Sequence, residues 1–512
     1  MAKESTGIKR KRDGFFAKMD KHGLALAYGN VRLKTMYTEV KPAEVILRTC
    51  FSRNICLNIP IVSSPMDTVT GADMAIAMAK LGGLGIIHRN MTPSEQASAV
   101  AKVKFYLTGR PIKKPICVNA NSKVKDVLKT IEEKKYQFHS FPVRDDNEKL
   151  VGILTRNDFD FCINHDLAVN KIMSKELVTG KEGISAKAAF EIMSRSRKKI
   201  LPILDSEGKL VGLYTLPDVK RVIMGNTDEY SLDKNGSLVV GAAIGVGEDA
   251  MRRMELLAPK GVDVVVIDTA HGDSKDVIET VKACKKAHPH IDVVAGNVSI
   301  GASALRLAKA GADAIKVGQG PGSICTTRVV AGVGRPQVTA IYDCEKKIRG
   351  SGIPIIADGG ITYSGDIPIA IGAGASTVIL GNLLAGTDEA PGEVLIKNGM
   401  PVKSYRGMGS LGAMETNKAS RERYSQGDGS KEKLVPEGVE AVVPYKGPVS
   451  IIVYQLIGGL RSGMGYLGAK DIPDLERKAD FDRIDSAGQR ESHPHDIVIT
   501  QKAPNYNETG RV

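Results

Sequence analysis

The sequence predicts an α/β chain: a (β/α)8 TIM barrel, interrupted after its second strand by a smaller module built on an internal repeat. Short apolar runs ending in small or polar residues alternate with helix-length amphipathic segments, as βα units do. Between about 111 and 228 that rhythm gives way to two copies of one motif. Once it resumes, a Gly-rich loop holding one thiol follows the sixth apolar run.

In chain order, residues 1–50 read as a basic helical arm followed by a few extended stretches. The barrel's first part, 51–110, holds Ile59-Pro-Ile-Val-Ser-Ser-Pro-Met66 and Gly83-Leu-Gly-Ile-Ile-His88 as strands. An Ala/Met-rich helix from Ala72 to Leu81 joins them. In the insert, Phe141-Pro-Val-Arg-Asp-Asp-Asn-Glu-Lys-Leu-Val-Gly-Ile-Leu-Thr155-Arg-Asn-Asp158 recurs as Leu201-Pro-Ile-Leu-Asp-Ser-Glu-Gly-Lys-Leu-Val-Gly-Leu-Tyr-Thr215-Leu-Pro-Asp218. Each copy reads strand, turn, strand, then a Thr-x-x-Asp whose threonine suits a helix N-cap.

From 229 onward, strands are expected at Gly241–Gly245, Val262–Asp268, Asp292–Asn297, Ala314–Gly318, Ile353–Gly360 and Thr377–Asn382. Functional groups of such a barrel lie at the C-terminal strand ends. The residues there are Ser64, Met66, Asp268, Asn297, Cys325, Asp358, Gly360, Gly381 and Asn382. Small residues after the last two strands suit a phosphate site, where backbone N–H groups must reach oxygen.

The loop Gly318-Gln-Gly-Pro-Gly-Ser-Ile-Cys-Thr-Thr327 has glycines at alternate positions and sets Cys325 among the hydroxyls of Ser323, Thr326 and Thr327. A thiol is nucleophilic as thiolate, and a ring of inward amides favours that form. Downstream, Tyr405-Arg-Gly-Met-Gly-Ser410 is again Gly-rich. The polar stretch that follows, with Arg423-Tyr424 and Lys433-Leu-Val-Pro-Glu437-Gly438, is too long for a plain connection and reads as a mobile flap over about 411–447.

Composition narrows the class. The chain has 512 residues, 42% hydrophobic and 25% charged, with no Trp, which is ordinary for a globular α/β enzyme. No run of 18 apolar residues occurs, and the basic N-terminus lacks the apolar segment of a secretory signal, so a cytoplasmic, membrane-free protein is expected. Seven scattered cysteines without a C-x-x-C pair point to a reducing compartment and away from a disulfide framework or zinc cluster. The +13 charge is spread along the chain with few aromatics, which fits an anionic small substrate better than nucleic acid.

Six stretches together resemble the IMP dehydrogenase/GMP reductase family over nearly the whole length. They are Ser63-Ser-Pro-Met-Asp-Thr68, Ala295-Gly-Asn297, the Cys325 loop running on to Gly334-Arg-Pro-Gln337, Ala357-Asp-Gly-Gly360, Tyr405-Arg-Gly-Met-Gly-Ser410 and Arg423-Tyr424. The repeat resembles the tandem CBS (Bateman) modules inserted in that family.

The resemblance implies that Cys325 attacks C2 of IMP, hydride leaves for NAD, and the flap then lets water hydrolyse the thioimidate to XMP. Ser64 and Met66 would line the substrate site, Asp358 would hold the ribose, and Ser323, Gly360, Gly381, Asn382 and Tyr405 the phosphate. Met408, Gly409 and Glu437 would face the base. Asp268, Thr269, Asn297, Gly318 and Gly320 would meet the cofactor. Water activation falls to Arg423 with Tyr424, or to a Thr327/Glu437 relay. Carbonyls of Gly320, Gly322 and Cys325, completed by Glu491, Ser492 and His493 of a neighbouring subunit, would hold K+ in a homotetramer or octamer. The repeat would take an adenine or guanine nucleotide.

Three departures from the family pattern stand out: Ala27-Tyr-Gly-Asn30 lacks an Asp-Asp pair, and Gln319 and Ala270 replace an apolar residue and Ser. Two rival readings are an NADPH-dependent GMP reductase and a nucleotide-sensing protein with an inactive barrel. Arg423-Tyr424 and Glu437-Gly438, which a hydrolytic flap needs, favour the dehydrogenase.

Overall fold

The computed structural model describes residues 10–107, 109, 111–113, 115–134, 136, 138–224, 227–416, 418–424, 434–501 and 503–506. The chain divides into two compact units: Met1–Lys104 with Asp228–Val512, and Phe105–Thr227.

The larger unit is a closed parallel barrel. Its strands are β1 Ile61–Ser63, β2 Leu84–Ile87, β3 Gly241–Ile244, β4 Val264–Asp268, β5 Asp292–Val298, β6 Ala314–Val317, β7 Ile355–Asp358 and β8 Thr377–Leu380. β8 returns to β1 through Val378↔Ile61, and β2 meets β3 through Ile86↔Gly241, which closes the ring. Nearly every strand residue is buried, as expected where helices cover a parallel sheet.

Most strands stop short of the expected ends because the next residues turn. Gly318 follows β6 with φ +148°, packed so tightly on the Asp358 carbonyl that a Cβ there would collide. β4 ends at Asp268 as expected, and β5 runs on to Val298. Its pairing with β6 shifts between Gly296 and Val298, a bulge that re-aims the Asn297 side chain.

The barrel interior packs Val62, Leu84, Ile86, Val264, Val266, Val294, Ala314, Ile356 and Ile379. A short antiparallel hairpin, Thr49–Cys50 with Cys56–Leu57, caps the N-terminal mouth and drives Phe51 into that core. Phe51 is fully buried, so Phe51→Ala should cost about 3–5 kcal/mol in chemical denaturation. A loss below about 1 kcal/mol would mean the ring is not the plug it resembles.

The N-terminal arm is docked on the barrel. In its helix Lys11–Lys21, Phe16 stacks on Tyr342 with centroids 3.9 Å apart. Arg12 is fully buried, donating to the Gly372 carbonyl at 2.7 Å and pairing with Glu345 at 2.9 Å and Glu476 at 2.6 Å.

The second unit begins at Phe105, ahead of the expected 111, and holds two similar three-stranded sheets. One contains Val118–Asn119, Phe141–Arg144 and Leu150–Leu154; the other Gly180–Lys181, Ile200–Leu204 and Leu210–Thr215. Each has its own apolar core. Thr155 and Asp158 form a reciprocal cap, with Asp158 Oδ2 accepting from the Thr155 N–H at 2.6 Å and its hydroxyl at 2.7 Å. Thr215 repeats this with Asp218 at 2.5 Å.

Candidate active site

At the C-terminal mouth, three charged side chains from separate strands meet. Asp268 ends β4, Asp358 ends β7, and Lys316 rises from β6 between them. Lys316 Nζ donates to Asp268 Oδ1 at 2.7 Å and to Asp358 Oδ2 at 2.8 Å, and the lysine side chain is 1% exposed. An ammonium so deeply buried needs both carboxylates as hydrogen-bonding partners. Asn297 Nδ2 adds a bond to Asp358 Oδ2 at 2.8 Å and another to the Gly318 carbonyl at 2.6 Å. Its Oδ1 is buried with no partner among the described residues.

Sequence reasoning found both aspartates and Asn297 but passed over Lys316. The available signal was a single lysine in an otherwise apolar strand, Ala314-Ile-Lys-Val317. Lys316→Met would remove the ammonium that bridges the two carboxylates, leaving Asp358 without its cation. A loss of about 3–5 kcal/mol, with a raised KM for the nucleotide whose ribose Asp358 would hold, is expected from denaturation and steady-state kinetics. Unchanged stability and KM would show that the bridge is dispensable.

Cys325 sits half-buried in its loop, its N–H donating to the Gly322 carbonyl at 3.0 Å and its sulfur 3.1 Å from the Thr327 hydroxyl. The end of the flap region is zipped to this loop. Thr326 N donates to the Glu437 carbonyl and Val439 N to the Ile324 carbonyl, both at 3.0 Å, and Cys325 bridges Gly438. On its other edge the same segment meets Gly407 and Gly409: Gly407 N donates to Val439 and Glu437 N to Gly409, again at 3.0 Å. Cys325, Thr327, Glu437 and Gly409 are thus gathered in one patch.

The front of the flap region lies across the mouth from Asp268. Arg423, at the end of helix Lys418–Arg423, ion-pairs with Asp268 Oδ2, the oxygen that Lys316 leaves open. Its carbonyl accepts from Ala270 N at 3.2 Å. Tyr424 is packed against Gly409, where a Cβ would stand 2.5 Å from the ring, and burial raises its phenol pKa. Residues 425–433 of the expected flap, Lys433 among them, lie outside the described residues.

Beneath this helix, Ser420 donates to Asn90 at 3.2 Å, Asn90 donates to Asp67 at 2.6 Å, and Arg406 grips Asp67 from Nε at 3.1 Å and NH2 at 2.6 Å. Arg89, 5% exposed, faces Glu422 at 3.8 Å; burial first and Arg423 second push its pKa down to about 10. A narrow cleft lined by Arg89, Asn90, Asp268, Met408, Ser420 and Arg423 remains. No role had been expected for Asp67, Arg89, Asn90 or Arg406, whose meaning depends on the docked flap.

On the far side, Tyr405 is buried with its hydroxyl 2.8 Å from where a Cβ of Gly381 would stand, and Met66 Sδ is 3.4 Å from the same point. Burial pushes the Tyr405 phenol up to about 12, while Ser323 hydrogen-bonds to it. Asn382 reaches Ser323 at 3.4 Å. Lys446 Nζ donates to the Asn382 carbonyl at 2.6 Å, and burial lowers its pKa to about 8. Gly360 lies against Pro321 and the Tyr28 ring, and Ser64 N pairs with Leu380 at 3.0 Å. These small and hydroxyl-bearing residues lie close together, and their chemistry suits phosphate oxygens.

The remaining expected residues make contacts within the chain. The Thr269 hydroxyl donates to the Gly296 carbonyl at 2.8 Å and ties β4 to β5. Gln319 bonds Ser299 at 2.6 Å and the Ala270 carbonyl at 3.2 Å, so the two substituted positions support each other. Gly29 of the altered N-terminal pair packs on Gln489. His493 is drawn to Tyr506 at 3.2 Å and to the Tyr363 ring, while Ser492 donates to Gly488 at 2.7 Å.

Residues 25–495 match the family profile described as the IMP dehydrogenase / GMP reductase domain. The chain belongs to the IMP dehydrogenase/GMP reductase family. Within that family it is 52% identical to the inosine-5'-monophosphate dehydrogenase of Aquifex aeolicus, over 94% of this chain and 97% of the relative. It is 47% identical to that of Bacillus subtilis, over 96% and 99%. Among solved structures it resembles a cysteine variant of Trypanosoma brucei GMP reductase in complex with guanosine 5'-monophosphate. That likeness has a TM-score of 0.78 at 42% identity and covers 93% of this chain and 98% of the other.

Proposed function

We propose that the chain oxidises IMP to XMP with NAD, in guanine nucleotide biosynthesis, through a covalent adduct on Cys325. The observation that carries this is the flap region's placement, with Arg423 on Asp268 and residues 437–439 zipped to the cysteine loop. Hydride transfer needs a dry site and hydrolysis needs water, so a segment that enters the mouth resolves the conflict. A reductive deaminase has no such hydrolytic step. Measuring NADH formation from IMP and NAD beside NADPH consumption with GMP tests the choice; activity only in the second assay would assign the chain to GMP reductase.

In this reading the Cys325 sulfur adds to C2 of the purine, which makes that carbon a hydride donor and splits one hard step into two. NAD, when bound, takes up that hydride. Asp358, braced by Lys316 and Asn297, accepts hydrogen bonds from the ribose hydroxyls. Ser323, Gly360, Gly381, Asn382 and Tyr405 surround the phosphate, Ser64 and Met66 line the substrate wall, and Met408, Gly409 and Glu437 border the base. Asp268, Thr269, Asn297, Gly318 and Gly320 would border the nicotinamide riboside, a fit supported by the unpartnered buried Asn297 Oδ1, an acceptor for amide or hydroxyl hydrogens. Once Arg423 takes Asp268 Oδ2, the cofactor side is closed and Arg423 with Tyr424 stands where water must be oriented. Thr327, in contact with the sulfur, and Glu437 provide the alternative proton relay.

Hard carbonyl oxygens of Gly320, Gly322 and Cys325 suit an alkali cation such as K+, which would brace the cysteine loop. Glu491, Ser492 and His493 would complete that set from a neighbouring copy in a homotetramer or octamer. The repeat would act as a CBS pair, offering Thr155/Asp158 and Thr215/Asp218 to the ribose and phosphate of an adenine or guanine nucleotide. We read the protein as cytoplasmic, as the family resemblance implies; no helix among the described residues is long and apolar enough to cross a membrane.

A further inference from the structure

The hairpin at the barrel's N-terminal mouth, the end opposite Cys325, carries two more thiols. Cys50 and Cys56 are directly opposed in its antiparallel ladder. Phe51 N donates to the Ile55 carbonyl at 2.8 Å, so 51 and 55 are a hydrogen-bonded pair and 50 and 56 the non-hydrogen-bonded pair beside it. That is the narrow position of an antiparallel ladder, with Cα atoms about 4.5 Å apart, a span a disulfide accepts. Strand alternation sends Phe51 and Leu57 inward and both cysteines outward, where they are exposed. Their sulfurs lie 2.7 Å apart.

The hairpin is also held shut. Ser52 donates to Asp292 at 2.6 Å, Asn54 Nδ2 to the same carboxylate at 2.7 Å, Arg53 N to the Asp313 carbonyl at 3.0 Å, and Thr49 to the Ser376 carbonyl at 2.9 Å. The two thiols therefore cannot drift apart without breaking the cap of the barrel.

We propose that Cys50 and Cys56 form a reversible dithiol/disulfide modification site whose reactant is a small hydroperoxide. One sulfur, as thiolate, attacks a peroxide oxygen; the O–O bond breaks, leaving a sulfenic acid and one water. The second sulfur attacks the first, the S–S bond forms as the S–O bond breaks, and a second water leaves. The two thiols lose two protons and two electrons, and hydrogen peroxide is reduced to two waters. A dithiol reverses the reaction by exchange. Partial desolvation of its sulfur, then the adjacent Cys56, push the Cys50 thiol up to about 11, so Cys50 attacks faster as pH rises. Because the bond forms between residues already in register, the reaction leaves the catalytic mouth in place.

Trypsin separates the two cysteines by cutting after Arg48, Arg53 and Lys80. The full-length protein is treated with hydrogen peroxide, its remaining thiols are alkylated, and it is digested without reduction for mass spectrometry. The expected product joins Thr49–Arg53 to Asn54–Lys80 with the loss of two hydrogens, and dithiothreitol separates it. Cys50→Ser should abolish the linked species and leave NADH production by unoxidised enzyme unchanged. Recovery of the two peptides unlinked, whether alkylated or singly oxidised, overturns the proposal. So does a link from either cysteine to a different one, or a product that resists the dithiol.

Discussion

Cys325→Ser is expected to lower steady-state XMP formation by at least about 10³-fold, because a neutral hydroxyl cannot replace a thiolate as nucleophile at an unactivated purine carbon. The loop around the residue should survive the change. Its N–H bond to Gly322, its bridge to Gly438 and the neighbouring Thr326–Glu437 bond are backbone interactions that do not involve sulfur. Binding of IMP should therefore persist while the covalent adduct disappears, a combination that calorimetry and intact-mass measurement distinguish from misfolding. Retained turnover would remove the covalent route altogether.

Arg423→Ala should divide the reaction instead of abolishing it. Arg423 meets Asp268 from the flap region, whereas the bonds of Lys316 and Asn297 to Asp358 do not involve it. The first NADH burst should stay near wild-type amplitude, and the following steady rate should fall by about 10²–10³-fold, the range expected when a proton-handling group is lost. Rapid mixing with IMP and NAD reads both phases. Arginine rarely gives up its proton, so a nearly normal steady rate would shift water activation to Thr327 and Glu437. A lost burst would place Arg423 in the oxidation step.

Much of the barrel was legible in the sequence because apolar runs and turn residues are local signals. The eight strands fall within or close to the expected stretches; most, β1 above all, end sooner than an apolar count suggests because the chain turns, as it does at Gly318, and β5 runs slightly longer. Asp268, Asn297, Cys325 and Asp358 were found because a barrel sends its strand ends to one mouth. Lys316 was missed because a strand's own pattern cannot say that two acids from other strands will flank its ammonium. Arg89, Asn90 and the Asp67–Arg406 pair were missed for a related reason: each has a partner hundreds of residues away along the chain.

The seven cysteines show the same boundary. Their scattered spacing argued against a disulfide framework and did not show that Cys50 and Cys56 face each other across a hairpin whose register Phe51 and Leu57 set by entering the barrel. Sequence alone determined the periodicities, the repeat and the chemistry of each loop, since these depend on neighbours along the chain. Ring closure and flap docking decided which charges and sulfurs touch, because a separation of a few ångströms between distant residues follows from packing that no local stretch encodes.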